Sequence, residues 1–284
     1  MSTEDIADRP ETERREYFAP AVDLAVRMLE LLSRRATQSC TLTEICTVLG
    51  ANKASSLRIL RTLQARSMVF YDENTKRYSL GIAAVVIGAR AEESIDHLAR
   101  LRPALIDAAE RTEMTAVFVE RVSSDRMMYV AKEERMADTH VTVSVGNRFP
   151  ITDVSYGKWV IGYSSEEDAK RLLKPGLRQV TPHTVTDLAA YRRSVAQACA
   201  DGVLESRDEY VPGVTAISCP VFDYRGGLLG VLVVLSLTSG LTEDDIARTR
   251  AYMRDLGRSV SGTGLPSAVW PTVDGHASLF VGSH

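Results

Sequence analysis

Cysteine is sparse in this sequence and is not placed for chemistry. Cys40, Cys46, Cys199 and Cys219 have neither the close paired spacing of a zinc site nor the density of a disulfide scaffold, so reduced, structural thiols are expected. No apolar run approaches the ~20 residues needed to cross a bilayer. Met1 to Tyr17 is polar and charged, without the apolar centre of a secretory signal. A cytoplasmic chain without membrane attachment is expected. Catalytic patterns are missing too: there is no Gly-x-Ser-x-Gly turn and no His-Glu-x-x-His helix. Gly157-Lys158 lacks the upstream glycine of a phosphate-binding loop, and Trp159 stands where that loop has a hydroxyl residue. His97, His140, His183, His276 and His284 are scattered and read as surface or loop residues. Nothing here calls for a catalytic residue, a metal or a cofactor.

A strong overall charge is also lacking, and this hides an asymmetry. The 284 residues carry a formal net charge of -3, which argues against indiscriminate nucleic-acid binding. Between Pro20 and Ala83, however, nine Lys and Arg face five Asp and Glu, a surplus of four that leaves -7 on the remainder. The length allows about two domains, each with its own core.

Within the basic region, Asn52 to Arg66 has helical periodicity. Asn52 is placed to cap the first turn. Ser56, Ile59, Leu60 and Leu63 share one face, while Ala54, Leu57, Arg58 and Arg61 share the other. An outer face with two arginines, small apolar groups and no acid suits a major groove, where arginine bonds guanine O6 and N7 and methyl groups meet thymine. A solvated amphipathic helix is the plainer alternative. The flanking residues bear on the choice. Thr41 and Glu44 resemble a capping box, with Thr43 an alternative cap, and Ile45, Val48 and Leu49 give that helix an inner face. Gly50 suits the left-handed turn between two helices. Met68 to Tyr71 and Arg77 to Leu80 read as strands around a turn at Asp72 to Thr75, with Asn74 at its tip.

This order resembles the winged helix-turn-helix of IclR-type (isocitrate lyase regulator) transcription factors. The residues that carry the resemblance are Leu31-Leu32, Leu42-Thr43 with Glu44, Leu49-Gly50, Lys53, Ser55, Arg58, Leu60 and the closing Tyr78-Ser79-Leu80-Gly81. It implies that Lys53, Ala54, Ser55, Leu57, Arg58 and Arg61 face DNA. Lys76 and Arg77 stand where a wing meets backbone or minor groove, although an edge charge on Lys76 also serves to discourage strand pairing. The chain departs from the family pattern at Asn52, Ala54 and Leu57, where proline, a hydroxyl residue and histidine are usual. Those positions lie at or beside the reading face, so the operator sequence cannot be carried over.

Before this region, a helix from Pro20 is expected to bury Val22, Ala25, Met28, Leu29 and Leu32, with Arg34 and Arg35 at its C-terminal end. After it, residues 82–102 read as a linker helix rich in small residues, with Gly88 allowing a close neighbour, and as a contact between subunits or a simple spacer. Pro103 marks a kink or a fresh start before Leu105, Ile106, Ala109 and Met114. Strands are expected at Thr115 to Val122, Met127 to Lys132, Val141 to Val145, Val203 to Ser206, Ile217 to Phe222 and Leu228 to Leu237. Helices are expected at Ile151 to Leu173, Leu188 to Ala200 and Thr242 to Ser259. This mixed order predicts an α+β domain with a central antiparallel sheet.

The same half resembles the GAF-like effector-binding domain of the family, through Gly146 to Pro150, Gly157-Lys158, Gly202-Val203, Gly213 and Pro220 to Asp223. The resemblance covers Pro20 to Gly262. It implies a ligand pocket between the start of the helix carrying Gly157-Lys158, at Ser155 and Tyr156, and a sheet lining of Val214, Ala216, Val233 and Leu235 with Ser206 at its edge. Free N–H groups at a helix start hold a carboxylate without a cationic side chain. Tyr156 and Trp159 suit an aromatic acid or phenol as well as core packing. Asp153 either caps the helix or repels such an acid.

The expected organisation is a flexible tail over 1–19, a winged helix-turn-helix over 20–81, a linker helix over 82–102, a GAF-like effector domain over 103–262 and a flexible tail over 263–284. The expected function is that of a ligand-responsive transcriptional regulator, a repressor, sensing a small organic or aromatic acid. It would act on double-stranded, pseudo-palindromic operator DNA as a homodimer or a dimer of dimers. The alternatives are a second domain that only oligomerises and an enzyme carried on a DNA-binding head.

Overall fold

A proline lacks an N–H that the first turn of a helix would leave unpaired in any case, and Pro20 opens α1 (Pro20–Ser33) on that basis. The computed structural model describes residues 19–34, 37–94, 96–134 and 140–262. The two expected tails, apart from residue 19, lie outside these residues, as does Arg35. Helix α1 is followed by β1 (Cys40–Thr41), α2 (Leu42–Leu49), α3 (Lys53–Ala65), β2 (Val69–Asp72) and β3 (Arg77–Leu80), the strands forming an antiparallel sheet in the order β1-β3-β2. Thr41, not Thr43, caps α2: its hydroxyl accepts from Glu44 N, and Glu44 Oε2 accepts from Thr41 N at 2.7 Å. Gly50 ends that helix at φ 62°, where a side chain would be strained.

Two inner-face expectations fail here. Val22 is 62% and Val48 57% exposed, and the core takes Leu31 and Cys46 instead. On α2 the buried Ile45 and Cys46 centre the inner face on the stripe through Leu42 and Leu49, and Val48 lies about 100° away from it. On α1 the buried residues, Met28, Leu31 and Leu32, all fall in the C-terminal half.

The chain divides after Asp96 into two compact units. Helices α4 (Ile82–Ser94) and α5 (Asp96–Thr112) flank residue 95, which lies outside the described residues. Pro103 neither ends nor begins a helix but sits within α5. One backbone hydrogen bond is forgone there, while Leu101, Ala104, Leu105 and Ala108 bury themselves on both sides of it. Ile106 falls between these positions and is 40% exposed.

The second unit is built on six antiparallel strands in the order β6-β5-β4-β9-β8-β7: β4 (Thr115–Arg121), β5 (Arg126–Glu133), β6 (Arg148–Pro150), β7 (Leu204–Arg207), β8 (Val214–Phe222) and β9 (Leu228–Leu237). Alternation along the central strands supplies two cores. Val117, Val119, Val231 and Val233 face one side, packed with α6 (Lys158–Tyr163), α7 (Glu166–Leu173) and α8 (Leu188–Asp201). Ala116, Phe118, Leu232 and Val234 face the other, packed with α5 and α9 (Glu243–Val260). Thr242 caps α9 with a second capping box. None of the helices among the described residues is long and apolar enough to cross a membrane.

Two elements differ from expectation. Val141 to Val145 is not a strand: Val141 and Val143 pack against the core, but ladder pairing with β5 falls to Arg148–Pro150 beyond a turn at Gly146, φ 87°. Ile151 to Leu173 is not one helix but two short 3₁₀ turns followed by α6 and α7. Val154 is extended at φ -110° and breaks the first part, and Ser165 caps α7 afresh.

Candidate DNA-reading face and ligand pocket

Asn52 Oδ1 accepts from Ala54 N at 2.9 Å and Ser55 N at 3.3 Å, which fixes where α3 begins and so which residues face outward. Ser56 and Leu60 are fully buried, whereas Lys53, Ala54, Arg58 and Arg61 are exposed and Ser55 and Leu57 half-buried. Among the described residues, neither guanidinium of this face is held by a hydrogen bond or an ion pair. Donors left free on one helical face are what a groove of base edges and phosphates requires.

The residues expected to form a wing behave differently from one another. Asp72 ties the hairpin tip, accepting from Asn74 N at 2.8 Å and from the Thr75 hydroxyl at 2.7 Å, and these hydrogen bonds lower its carboxyl pKa. Lys76 follows at φ 56° and is exposed. Arg77 is already engaged: its guanidinium donates to Ser39 O and Glu44 Oε2, each at 3.0 Å, and so braces β3 against the start of α2.

In the second unit, the strand register places Ser206 opposite Ala216 and Ala216 opposite Leu235, one row across three strands. Ser155 Oγ lies 2.6 Å from Ser206 Oγ, so the turn before α6 closes onto the end of that row. Gly157 lets this turn fold back on itself, because a Cβ there would come within 1.8 Å of Ile151 O. Tyr156 is buried with its hydroxyl 2.5 Å from that of Tyr129, whose pKa burial pushes up to about 12, so both phenols stay protonated. Trp159 is core, and its indole N–H donates to Ser218 Oγ at 2.9 Å. Of the expected lining, Tyr156, Ala216, Val233 and Leu235 are buried in one apolar cluster with Val214 half-buried beside it, and Ser155 and Ser206 are buried as a bonded pair.

Asp153 caps no helix. Its buried carboxylate forms an ion pair with Arg178, whose side chain is mostly exposed. His97 is likewise not a loop histidine: it lies in the first turn of α5, with Nε2 2.7 Å from Glu120 Oε1. Sequence reasoning missed Tyr129, Tyr191 and Glu209. Lys158 is buried, with its ammonium 3.1 Å from Glu209 Oε2 and 5.6 Å from the centre of the Tyr191 ring. No local pattern marks Glu209, since its partner lies 51 residues away. The one visible cue is that Ser155 and Lys158 have the same spacing as their partners Ser206 and Glu209.

Comparison with known proteins agrees with this architecture. Residues 82–262 match the family described as bacterial transcriptional regulator IclR C-terminal. A crystal structure of an IclR transcriptional regulator from Alicyclobacillus acidocaldarius superposes with a TM-score of 0.81 at 36% identity, covering 86% of this chain and 98% of that one. The HTH-type transcriptional repressor AllR of Escherichia coli is 23% identical over 244 residues, 86% of this chain and 89% of AllR. An IclR homologue from Microbacterium hydrocarbonoxydans, complexed with 4-hydroxybenzoate, shares the fold with a TM-score of 0.71 at 16% identity, over 84% of this chain and 98% of that one. The chain is a transcriptional regulator, not an enzyme, and it belongs to the IclR family.

Proposed function

We propose that residues 20–81 form a winged helix-turn-helix that reads operator DNA, and that residues 103–262 form a GAF-like domain whose ligand alters that binding. Residues 82–102 link the two. Helix α3 enters the major groove, with Arg58 and Arg61 on base edges or phosphates, Leu57 and Ala54 on thymine methyls, and Lys53 and Ser55 near the backbone. Lys76 contacts the flanking backbone. Arg77, also expected on DNA, contributes by bracing the wing. The observation that carries this is the acid-free outer face of α3, whose cations form no hydrogen bond or ion pair among the described residues.

The effector is a small organic acid, aromatic or aliphatic. It sits among Ser155, Tyr156, Ser206, Val214, Ala216, Val233 and Leu235, in a lining that is apolar with a few convergent polar groups. An aromatic ligand is supported by the rings of Tyr156, Tyr129 and Phe149, whose centroids lie 4.8 to 5.8 Å apart where they meet, and by the 4-hydroxybenzoate of the Microbacterium relative. Repression is supported by the name of AllR. The protein acts in the cytoplasm as a homodimer, pairing again into a dimer of dimers on a pseudo-palindromic site. Helix α4 supports the pairing: Ile82, Val85, Val86 and Ile87 are 57 to 70% exposed, and Gly88 has no atom within 4 Å of where a Cβ would lie.

Binding of the purified protein to DNA flanking its own gene, with and without small acids, tests this. Sequence-specific binding weakened by one acid is the expected outcome, because regulation requires that the ligand bind one arrangement of the protein better than another. The absence of specific binding to any flanking region contradicts it.

A further inference from the structure

Two polar pairs join the start of α6 and the turn before it to β7 and the turn after it, Ser155 with Ser206 and Lys158 with Glu209. In the second pair the side chain of Lys158 is 2% exposed and that of Glu209 17%, so the lysine is the interior partner and the glutamate stands next to water. The ammonium donates to both carboxylate oxygens, at 3.1 and 3.3 Å. Beneath it lies Tyr191, 3% exposed, whose hydroxyl has no hydrogen-bond partner among the described residues. Buried hydroxyls are rarely left this way, and an unused donor beside a buried cation marks a place for an acceptor that is anionic. The helix start expected to hold an anion has fewer free donors than expected, since Gly157 N donates to Val154 O at 3.1 Å and Lys158 N to Ser155 O.

We propose that Lys158 and Tyr191 form the carboxylate-holding end of the effector site and that an acid is taken up by exchange. The ligand carboxylate replaces that of Glu209 on the Lys158 ammonium and accepts a hydrogen bond from Tyr191 Oη, while the Glu209 side chain turns out to water. This rests on the acid-sensing function proposed above. One carboxylate for another leaves the buried charge balanced, which spares the cost of an unpaired ammonium. Only a side chain need move, because the backbone at Glu209 is pinned: its carbonyl accepts from Thr184 Oγ1 at 2.7 Å, and that of Asp208 accepts from Thr181 Oγ1 at 2.6 Å. The displaced Glu209 lies in the turn between β7 and β8, so ligand occupancy is felt at the sheet edge.

Chemical rescue tests the exchange. Glu209→Ala leaves the ammonium without its counter-ion, and acetate, but not the neutral isostere acetamide, should raise the melting temperature saturably. Adding Tyr191→Phe should weaken the acetate effect about tenfold, and adding Lys158→Met should abolish it. Equal action of acetate and acetamide, or rescue that survives Lys158→Met, overturns the proposal. If Glu209→Ala does not fold, Glu209→Gln keeps the shape of the pair without its charge and must show the same preference for acetate. Operator binding is followed in parallel with acetate, pyruvate, benzoate and 4-hydroxybenzoate. A response lost in Lys158→Met, with operator binding kept, supports the exchange. Rescue without any acid altering operator binding refutes the sensor function and, with it, effector exchange, leaving an anion niche alone.

Discussion

The outer face of α3, proposed to read DNA, and the buried cluster beside α6, proposed to hold the effector, are built in opposite ways. On α3 the side chains that matter stand on one continuous element, exposed, with their donors free among the described residues. In the pocket, Ser155, Tyr156 and Lys158 are buried and each is bonded to a residue from another element, the partners being Ser206, Tyr129 and Glu209. A surface meant for a long polyanion must keep its cations available to it, because phosphate contacts supply most of the binding. A site proposed to take up one small molecule must hold its charged group paired until the ligand replaces the partner, because an unpaired buried charge is costly. The neutral Tyr191 hydroxyl, by contrast, waits without a partner among the described residues. Substitutions on α3 should therefore change DNA affinity and leave stability alone, and substitutions in the pocket should change both stability and ligand response.

The largest effect expected is at Trp159, fully buried with its indole N–H on Ser218. Trp159→Ala should destabilise the second unit by about 3–5 kcal/mol, read from urea unfolding. A loss under about 1 kcal/mol would mean the site is loosely packed. Next is Ser155→Phe, which forces a ring into the contact with Ser206 and should cost about 1–3 kcal/mol. It should abolish the acid response in operator-binding assays while operator binding persists, and loss of both would mean that the fold is damaged.

How much of this was legible follows the same division. Helix α3, its Asn52 cap and its outer face follow from one stretch of sequence, because spacing of three and four residues fixes a helical face. The sheet was legible through β4, β8 and β9, which are near-continuous apolar runs buried on both faces, and through β5, which alternates at its start. Of the two readings of Pro103, the fresh start fails, because packing on both sides of it outweighs one lost hydrogen bond and the helix runs through it. Val141 to Val145 misled because alternation marks which side chains are buried, not whether the backbone is paired. The single helix expected from Ile151 hid the turn that lets Ser155 reach Ser206. Glu209 was invisible because its role depends on a partner brought near only by the sheet.

Smaller effects sharpen the contrast. The carboxyl of Asp168 is held well below the ordinary carboxylate range, chiefly by the hydrogen bond from Arg121 and further by Arg171. A depressed folded-state pKa contributes stability above the unfolded value, about pH 4, and loses it as pH falls through the folded one. Asp168→Asn should therefore lower stability at neutral pH and flatten its fall in strong acid, as followed by acid unfolding; an unchanged acid limb would show that Asp168 is not the titrating group. The smallest effect is expected at Arg77, whose partner Glu44 is well exposed. Arg77→Ala should loosen the wing slightly and barely shift the melting temperature, while its effect on DNA binding is weaker than that of Lys76→Ala. The reverse order would put Arg77 on DNA.

The most direct test of the account is the affinity of Arg58→Ala for operator and for unrelated DNA, measured side by side at one salt concentration. A loss of about 1–3 kcal/mol on the operator is predicted, with relaxed discrimination at one base pair, unrelated DNA little changed and the melting temperature unaltered. An equal loss on both DNAs would place Arg58 on phosphate, and no loss on either would remove α3 from the groove.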